Sequence, residues 1–161
     1  MASGRPDAAV DRTPAPDILE AMKHEYAELQ DLVAPIFEGA KIGPLSVYLY
    51  GSRATAFVRS DSDFDFALIA SSPIEREELA TIRDALIDAL PGVPDVDCVD
   101  MRSIPLTLAA QVIETSVLLL RGDDFQRNML ETRLMSMYAI LNEERQGILN
   151  DIVERGSIYA R

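Results

Sequence analysis

Asp63 and Asp65 are the residues whose type and spacing most directly suggest chemistry. They flank Phe64 at the start of the apolar run FDFALIAS (64–71), which predicts a strand buried on both faces. Because side chains alternate along a strand, both carboxylates fall on one face, roughly 6–7 Å apart. Two such carboxylates repel each other strongly unless a cation lies between them, and Mg²⁺ prefers oxygen ligands. The pair therefore indicates a divalent-metal site.

A Gly-Ser pair precedes these aspartates, with ten residues between Ser52 and Asp63. Gly51 and Ser52 end the β-rich run LSVYLYGS (45–52), where a strand should turn into a short helix. A glycine at this turn lets backbone N–H groups approach a phosphate, and the serine hydroxyl can donate to a phosphate oxygen. Arg53 and Arg59 could each neutralise phosphate charge, and we favour Arg53. A phosphate site beside a metal site suits metal-assisted nucleotidyl transfer.

A third carboxylate would complete a two-metal site or act as a general base. The predicted strand DVDCVDM (95–101) offers three, of which Asp95 and Asp97 share a face and Asp100 faces the other way. We predict Asp97, near the middle of the strand, and keep Asp100 as the alternative. Taken alone, the acidic cluster DSDFD is more typical of a solvated turn, so the metal site depends on its combination with Gly-Ser and the later acidic strand.

Hydrophobic periodicity predicts the elements that would position these residues. Apolar residues at three- and four-residue steps predict a first helix from about Pro16, which Pro35 should end or kink. After the two strands, Ser72-Pro73-Ile74-Glu75 has the form of a capping box that begins a second helix. A helix from Pro105 and a strand at SVLLL (116–120) follow the acidic strand.

From Asp123 a long helical pattern runs towards the C-terminus, with Gly147 as a weak point where it could break. The order of elements predicts a mixed α/β (α+β) fold, with a small mixed sheet flanked by helices and a C-terminal helical extension. We divide the chain into a flexible tail (1–15), a catalytic domain (16–122) and the helical extension (123–161).

Composition bounds the setting in which this site works. The 27 acidic and 15 basic residues give a net charge of −12, which disfavours direct binding to duplex nucleic acid. This charge suits a basic partner protein or a metal-bound nucleotide, although it equally serves solubility alone. No run reaches the roughly 18 apolar residues of a membrane span, and the N-terminus lacks the apolar segment of a secretory signal. With Cys98 as the only cysteine, we expect a protein of the reducing cytoplasm.

The stretch GSRATAFVRSDSDFDF resembles the GS-x10-DxD signature of the DNA polymerase β-like nucleotidyltransferase superfamily. More narrowly, the chain resembles the minimal nucleotidyltransferase (MNT) antitoxins that pair with HEPN proteins in toxin–antitoxin systems. The wider resemblance covers about residues 45–122, and the helical tail also resembles the end of those antitoxins. Ala56 stands where members often have glycine, and Ser60 where proline is frequent.

This resemblance implies a polymerase β-like nucleotidyltransferase fold and a Mg²⁺-dependent reaction. Asp63, Asp65 and Asp97 would be the acidic residues that hold the metal, and Gly51 and Ser52 would contact the triphosphate. The expected reaction transfers AMP from ATP to a tyrosine hydroxyl of a partner HEPN toxin, an RNase that it silences. Two alternatives stay open: transfer to a small molecule such as an antibiotic, and an antitoxin that acts by binding alone.

Overall fold

The computed structural model describes residues 16–55, 62–90, 92–93 and 95–155 of the 161-residue chain. The predicted tail (1–15) and Arg59 lie outside these residues. The described helices are α1 (Pro16–Glu38), α2 (Arg76–Ala89), α3 (Leu106–Thr115) and α4 (Asp124–Arg155). The described strands are β1 (Ser46–Tyr50), β2 (Phe64–Ile69), β3 (Val96–Asp100) and β4 (Val117–Leu120). None of the helices in this part of the chain is both long and apolar enough to cross a membrane.

The four strands form one mixed sheet in the order β3-β2-β1-β4. β1 is antiparallel to both of its neighbours, β2 and β4, whereas β2 and β3 are parallel. The parallel pair is joined through α2, as the crossover of a parallel connection requires. The predicted α/β fold, a small mixed sheet flanked by helices with a C-terminal helix, is therefore confirmed.

The sheet is covered on both faces, which explains why every residue of β2 except Asp65 is apolar. One face packs against α1 and α2 in a core that includes Val33, Phe37, Leu49, Phe66 and Leu86. The other face packs against α3 and α4 in a core that includes Tyr48, Ala67, Met101, Ala109 and Val112. Alternate residues of β2 thus enter different cores.

Two predicted helix boundaries differ from the structure. α1 continues through Pro35 to Glu38, because the ring removes one donor while the carbonyl of Pro35 still accepts a hydrogen bond from the Gly39 N–H at 3.0 Å. α2 begins at Arg76, after an extended Glu75 that makes no side-chain cap. The capping box at Ser72 is therefore wrong, since the Ile74 N–H donates to the Asp100 carboxylate instead (2.9 Å).

α4 is one continuous helix that passes through Gly147 without a break. Its first half is fixed to the sheet by a polar cluster beneath the second core. The Tyr48 hydroxyl donates to the Glu131 carboxylate, and the buried Arg127 pairs with Asp124 and, at 3.6 Å, with Glu131. These contacts place Glu131 level with the middle of β1.

Candidate active site

The Gly-Ser turn lies where β1 ends, and its backbone conformation requires glycine. Gly51 has φ +72° and begins a short 3₁₀ turn, Gly51–Ala54. A Cβ atom at this position would overlap the Asp65 carboxylate oxygen and lie 3.2 Å from the carboxyl carbon. The main chain of the turn therefore packs directly against a predicted metal ligand. Gly51 and Ser52 themselves are exposed, so the turn is open to a ligand.

The sheet brings the predicted carboxylates together at the same edge. Asp65 pairs with Asp97 in the parallel register of β2 and β3, and with Tyr50 in the antiparallel register of β1 and β2. Asp63 directly precedes β2 and lies on the same side by alternation. Asp65 alternates with core residues of the α1 and α2 face, so these carboxylates occupy the face covered by α3 and α4.

The electrostatics of this edge match a cation site. Burial first, then the charges of Asp97, Asp63 and Asp95, raises the pKa of the Asp65 carboxyl above its usual value. Tyr50, which sequence analysis did not single out, has its pKa raised to about 12 by burial and by the charges of Asp65 and Asp97. A half-buried Asp65 carboxylate beside three further carboxylates forms a site that a divalent cation would stabilise.

This raised pKa predicts how stability depends on pH. A carboxyl with a higher pKa in the folded than in the unfolded state binds its proton more readily when folded. Lowering the pH through the raised pKa of Asp65 should therefore stabilise metal-free wild type relative to Asp65→Asn. Urea unfolding of both proteins over a pH series measures this difference. Identical pH dependence of the two unfolding free energies would contradict the placement of Asp65 among like charges.

Arg53 joins the two ends of the segment between the turn and the aspartates. Its guanidinium lies 3.9 Å from the centre of the Phe64 ring, and its Nε donates to the Ser62 carbonyl at 2.8 Å. The Tyr26 hydroxyl of α1 donates to the Arg53 carbonyl at 3.1 Å. Sequence analysis missed Tyr26, which only follows the apolar spacing of α1. The phosphate contact predicted for Arg53 stays a prediction, because these contacts serve the protein itself.

Asp100, the alternative third carboxylate, belongs to the fold. It is only 2% exposed, and it accepts hydrogen bonds from the backbone N–H groups of Ile74 at 2.9 Å and Arg102 at 3.0 Å. The Arg102 guanidinium also lies 3.5 Å from it. It stands at the opposite end of β3 from Val96, which pairs with Phe64 beside the site. Of the two candidates, the structure brings only Asp97 next to Asp65.

Replacing Asp100 by alanine should therefore lower stability and spare catalysis. Removing the acceptor leaves the backbone N–H groups of Ile74 and Arg102 without their partner, which should cost about 3 kcal/mol of unfolding free energy. Asp88→Ala, an exposed change of the same charge on α2, should cost little. Urea unfolding and nucleotidyl transfer below the melting range measure the two effects. Lost transfer in a variant of unchanged stability would place Asp100 in the active site after all.

The donor set fits a hard cation that is also held by its substrate. In the described part of the chain, no three histidine, cysteine or carboxylate side chains are placed to hold a metal ion by themselves. Mg²⁺ typically takes one or two carboxylates and completes its shell with phosphate oxygens and water. The exposed turn at Gly51 and Ser52 can contact a phosphate, and the carboxylates beside it can hold the cation, so both parts of such a site are present.

Comparison with known proteins agrees with this geometry. Residues 33–125 match the model of the polymerase beta nucleotidyltransferase family. The protein adenylyltransferase MntA of Shewanella oneidensis is 32% identical over 107 residues, which are 66% of this chain and 75% of MntA.

Solved structures extend the likeness over most of the chain. It is similar to a toxin–antitoxin structure with AMP-PNP, at a TM-score of 0.64 and 27% identity over 77% of this chain and 98% of that one. It is also similar to a chain of the tri-AMPylated Shewanella oneidensis HEPN toxin in complex with MNT antitoxin, at a TM-score of 0.56 and 26% identity over 82% and 98%. On the family match and the MntA relationship together, this chain belongs to the polymerase beta nucleotidyltransferase family.

Proposed function

We propose that this protein is an antitoxin-type adenylyltransferase, which transfers AMP from ATP to a tyrosine hydroxyl of a HEPN toxin. The observation that carries the proposal is the packing of the Gly51 turn against Asp65, with Asp97 in register beside it. The relatives support the reaction: one is named a protein adenylyltransferase, and one similar structure contains a tri-AMPylated HEPN toxin. In this proposal the domain (16–122) carries the chemistry.

The chain's own residues would position the reactants rather than react covalently. Backbone N–H groups of the turn and the Ser52 hydroxyl would hold the triphosphate. The tyrosine oxygen attacks the α-phosphorus, and the bond to the leaving pyrophosphate breaks in line. Asp97, which is exposed and in register beside Asp65, would take the proton of the acceptor hydroxyl. The face shared with α3 and α4 would orient the acceptor against these groups.

Asp63, Asp65 and Asp97 would hold Mg²⁺. The ion, when bound, neutralises the charge that develops on the phosphate oxygens. Asp65 is the member best suited to respond to it, because the pKa of Asp65 is raised by burial and then by the charges of the other carboxylates. Binding of a cation would relieve that repulsion, so we expect Mg²⁺ to raise the melting temperature of the wild-type protein.

A labelling experiment distinguishes this reaction from phosphoryl transfer. The protein is incubated with Mg²⁺, its cognate HEPN protein, and ATP labelled at either the α- or the γ-phosphate. We expect label on the partner from α-labelled ATP alone, and none when Asp63→Ala/Asp65→Ala replaces wild type. Label from γ-labelled ATP, or no label from either, would contradict adenylyl transfer to this partner. Equal protection of cells by the double variant would instead favour neutralisation by binding.

A further inference from the structure

α4 follows the catalytic domain (16–122) and carries an apolar surface that the rest of the described chain leaves exposed. Six of the eight exposed large apolar side chains in the described part of the chain lie on this helix. Five of them recur at steps of three, four or eight residues and so share one side of α4: Phe125, Met129, Met137, Ile140 and Ile148. The side that packs against the sheet, formed by Arg127, Leu130 and Leu134, adjoins this apolar side, because Leu130 and Ile148 are five full turns apart and point the same way. The apolar side of α4 therefore continues beyond the residues that pack against the sheet, and its distal members Met137, Ile140 and Ile148 are exposed.

The course of α4 brings its distal half past the edge of the sheet that bears the carboxylates. β4 runs from Val117, beside Leu49, to Leu120, beside Val47, so α4 starts at the end of the sheet away from the site. The hydrogen bond from Tyr48 then fixes Glu131 level with the middle of β1. From there the end of β1 is about 7 Å away, which a helix spans in roughly five residues.

The sixteen residues of α4 from Ile140 to Arg155 consequently extend beyond the sheet, over about 24 Å. They do so from the face on which Asp65 and Asp97 stand, since that face is the one α3 and α4 cover. Residues 143–150 are exposed without interruption. A helix that projects past an active site on its open side can hold a large acceptor in front of that site.

We propose that residues 137–149, the docking arm, bind the protein that receives the nucleotide. This inference rests on the proposed function, because it requires a protein acceptor. The expected partner surface is an apolar strip bordered by basic side chains, complementary to Ile140 and Ile148 and to the neighbouring Glu143 and Glu144. A second copy of this chain is disfavoured as the occupant, because each copy carries a net charge of −12.

The docking arm also lies outside the region common to the family. The family match ends at residue 125, where α4 has only begun. The nucleotide site is therefore built without the arm, and changes in the arm should leave ATP binding intact. This separation allows acceptor binding and nucleotide binding to be measured independently on one variant.

The test compares two double variants of the full chain by calorimetric titration with the purified cognate HEPN protein, in the absence of nucleotide. Ile140→Asp/Ile148→Asp changes the arm, where both side chains are more than half exposed (57% and 58%). Leu32→Asp/Ile87→Asp is the matched control, with similar exposure (48% and 44%), the same loss of apolar surface and the same added charge on α1 and α2. We expect the arm variant to bind at least about tenfold more weakly and the control to bind like wild type.

Several other results of these titrations would overturn the proposal. Equal weakening by both variants, or by neither, would overturn the docking arm, as would wild type that does not bind this partner. Dissociation of a wild-type dimer by the arm variant, with unchanged partner affinity, would assign the surface to a second copy and also overturn it. If wild type binds the partner but transfers no AMP, the proposed reaction fails, while the arm is still judged by the two affinities. ATP affinity, unchanged in both variants, is the check that each is folded.

Discussion

Replacing Asp65 by asparagine should lower kcat/KM for nucleotidyl transfer by about 10²–10³-fold while making the metal-free protein more stable. The amide keeps the shape that packs against Gly51 but removes the charge that would hold the cation. It also removes the carboxylate whose pKa is raised by burial and by the charges of Asp97, Asp63 and Asp95, so the folded state loses a buried and repelled charge. Steady-state transfer rates and melting temperatures without Mg²⁺ measure the two effects.

Removal of a charge that serves catalysis should lower activity and raise stability, whereas removal of a charge that serves the fold should lower stability. Asp88→Asn removes an equally charged but exposed side chain from α2, and should alter neither quantity. Asp65→Asn should also lose the Mg²⁺-dependent rise in melting temperature expected of wild type. A variant that melts lower and transfers AMP at a normal rate would show that Asp65 serves the fold.

The second large effect is expected at Gly51, where alanine should reduce transfer by about a hundredfold or more. The φ of +72° strains any other residue, and a Cβ would overlap the Asp65 carboxylate, so the turn or the aspartate must move. Backbone strain of this kind costs about 1–2 kcal/mol. The displacement of a metal ligand adds a loss of activity that strain alone does not cause.

Gly92→Ala provides the matched control. Gly92 has a similar φ of +83°, and within the described residues no heavy atom beyond its chain neighbours lies within 4 Å of the Cβ that alanine would add. It should therefore show the strain penalty in urea unfolding without any loss of transfer. Comparable losses of activity in the two variants would mean that the collision with Asp65 has no catalytic importance.

The arrangement of the candidate site could be predicted from the sequence because its main features are local. Gly51, Ser52, Asp63 and Asp65 are held at fixed spacing on two successive strands, and alternation alone put both aspartates on one face. The choice of Asp97 over Asp100 needed only the assumption of a regular strand. The parallel register that places Asp97 beside Asp65 is a tertiary property, and the strand's own sequence does not specify it.

The sequence analysis missed contacts between residues that are far apart along the chain. The Asp100 carboxylate accepts a hydrogen bond from the Ile74 N–H, and α2 begins only at Arg76, so the capping box predicted at Ser72 does not form. Tyr26 reaches the Arg53 carbonyl from α1, a contact between residues 27 positions apart that no local pattern encodes. Gly147 does not break α4, because an exposed glycine costs a helix only about 1 kcal/mol.

Transfer of AMP is tested most directly by measuring the mass of the HEPN protein after the reaction. The HEPN protein is incubated with ATP and Mg²⁺ together with wild type or Asp63→Ala/Asp65→Ala, at concentrations where both are bound to it. We predict addition of whole AMP units to a tyrosine by wild type, and an unchanged mass with the double variant or with a chelator present. An unchanged mass with wild type, or equal modification by the double variant, would contradict it.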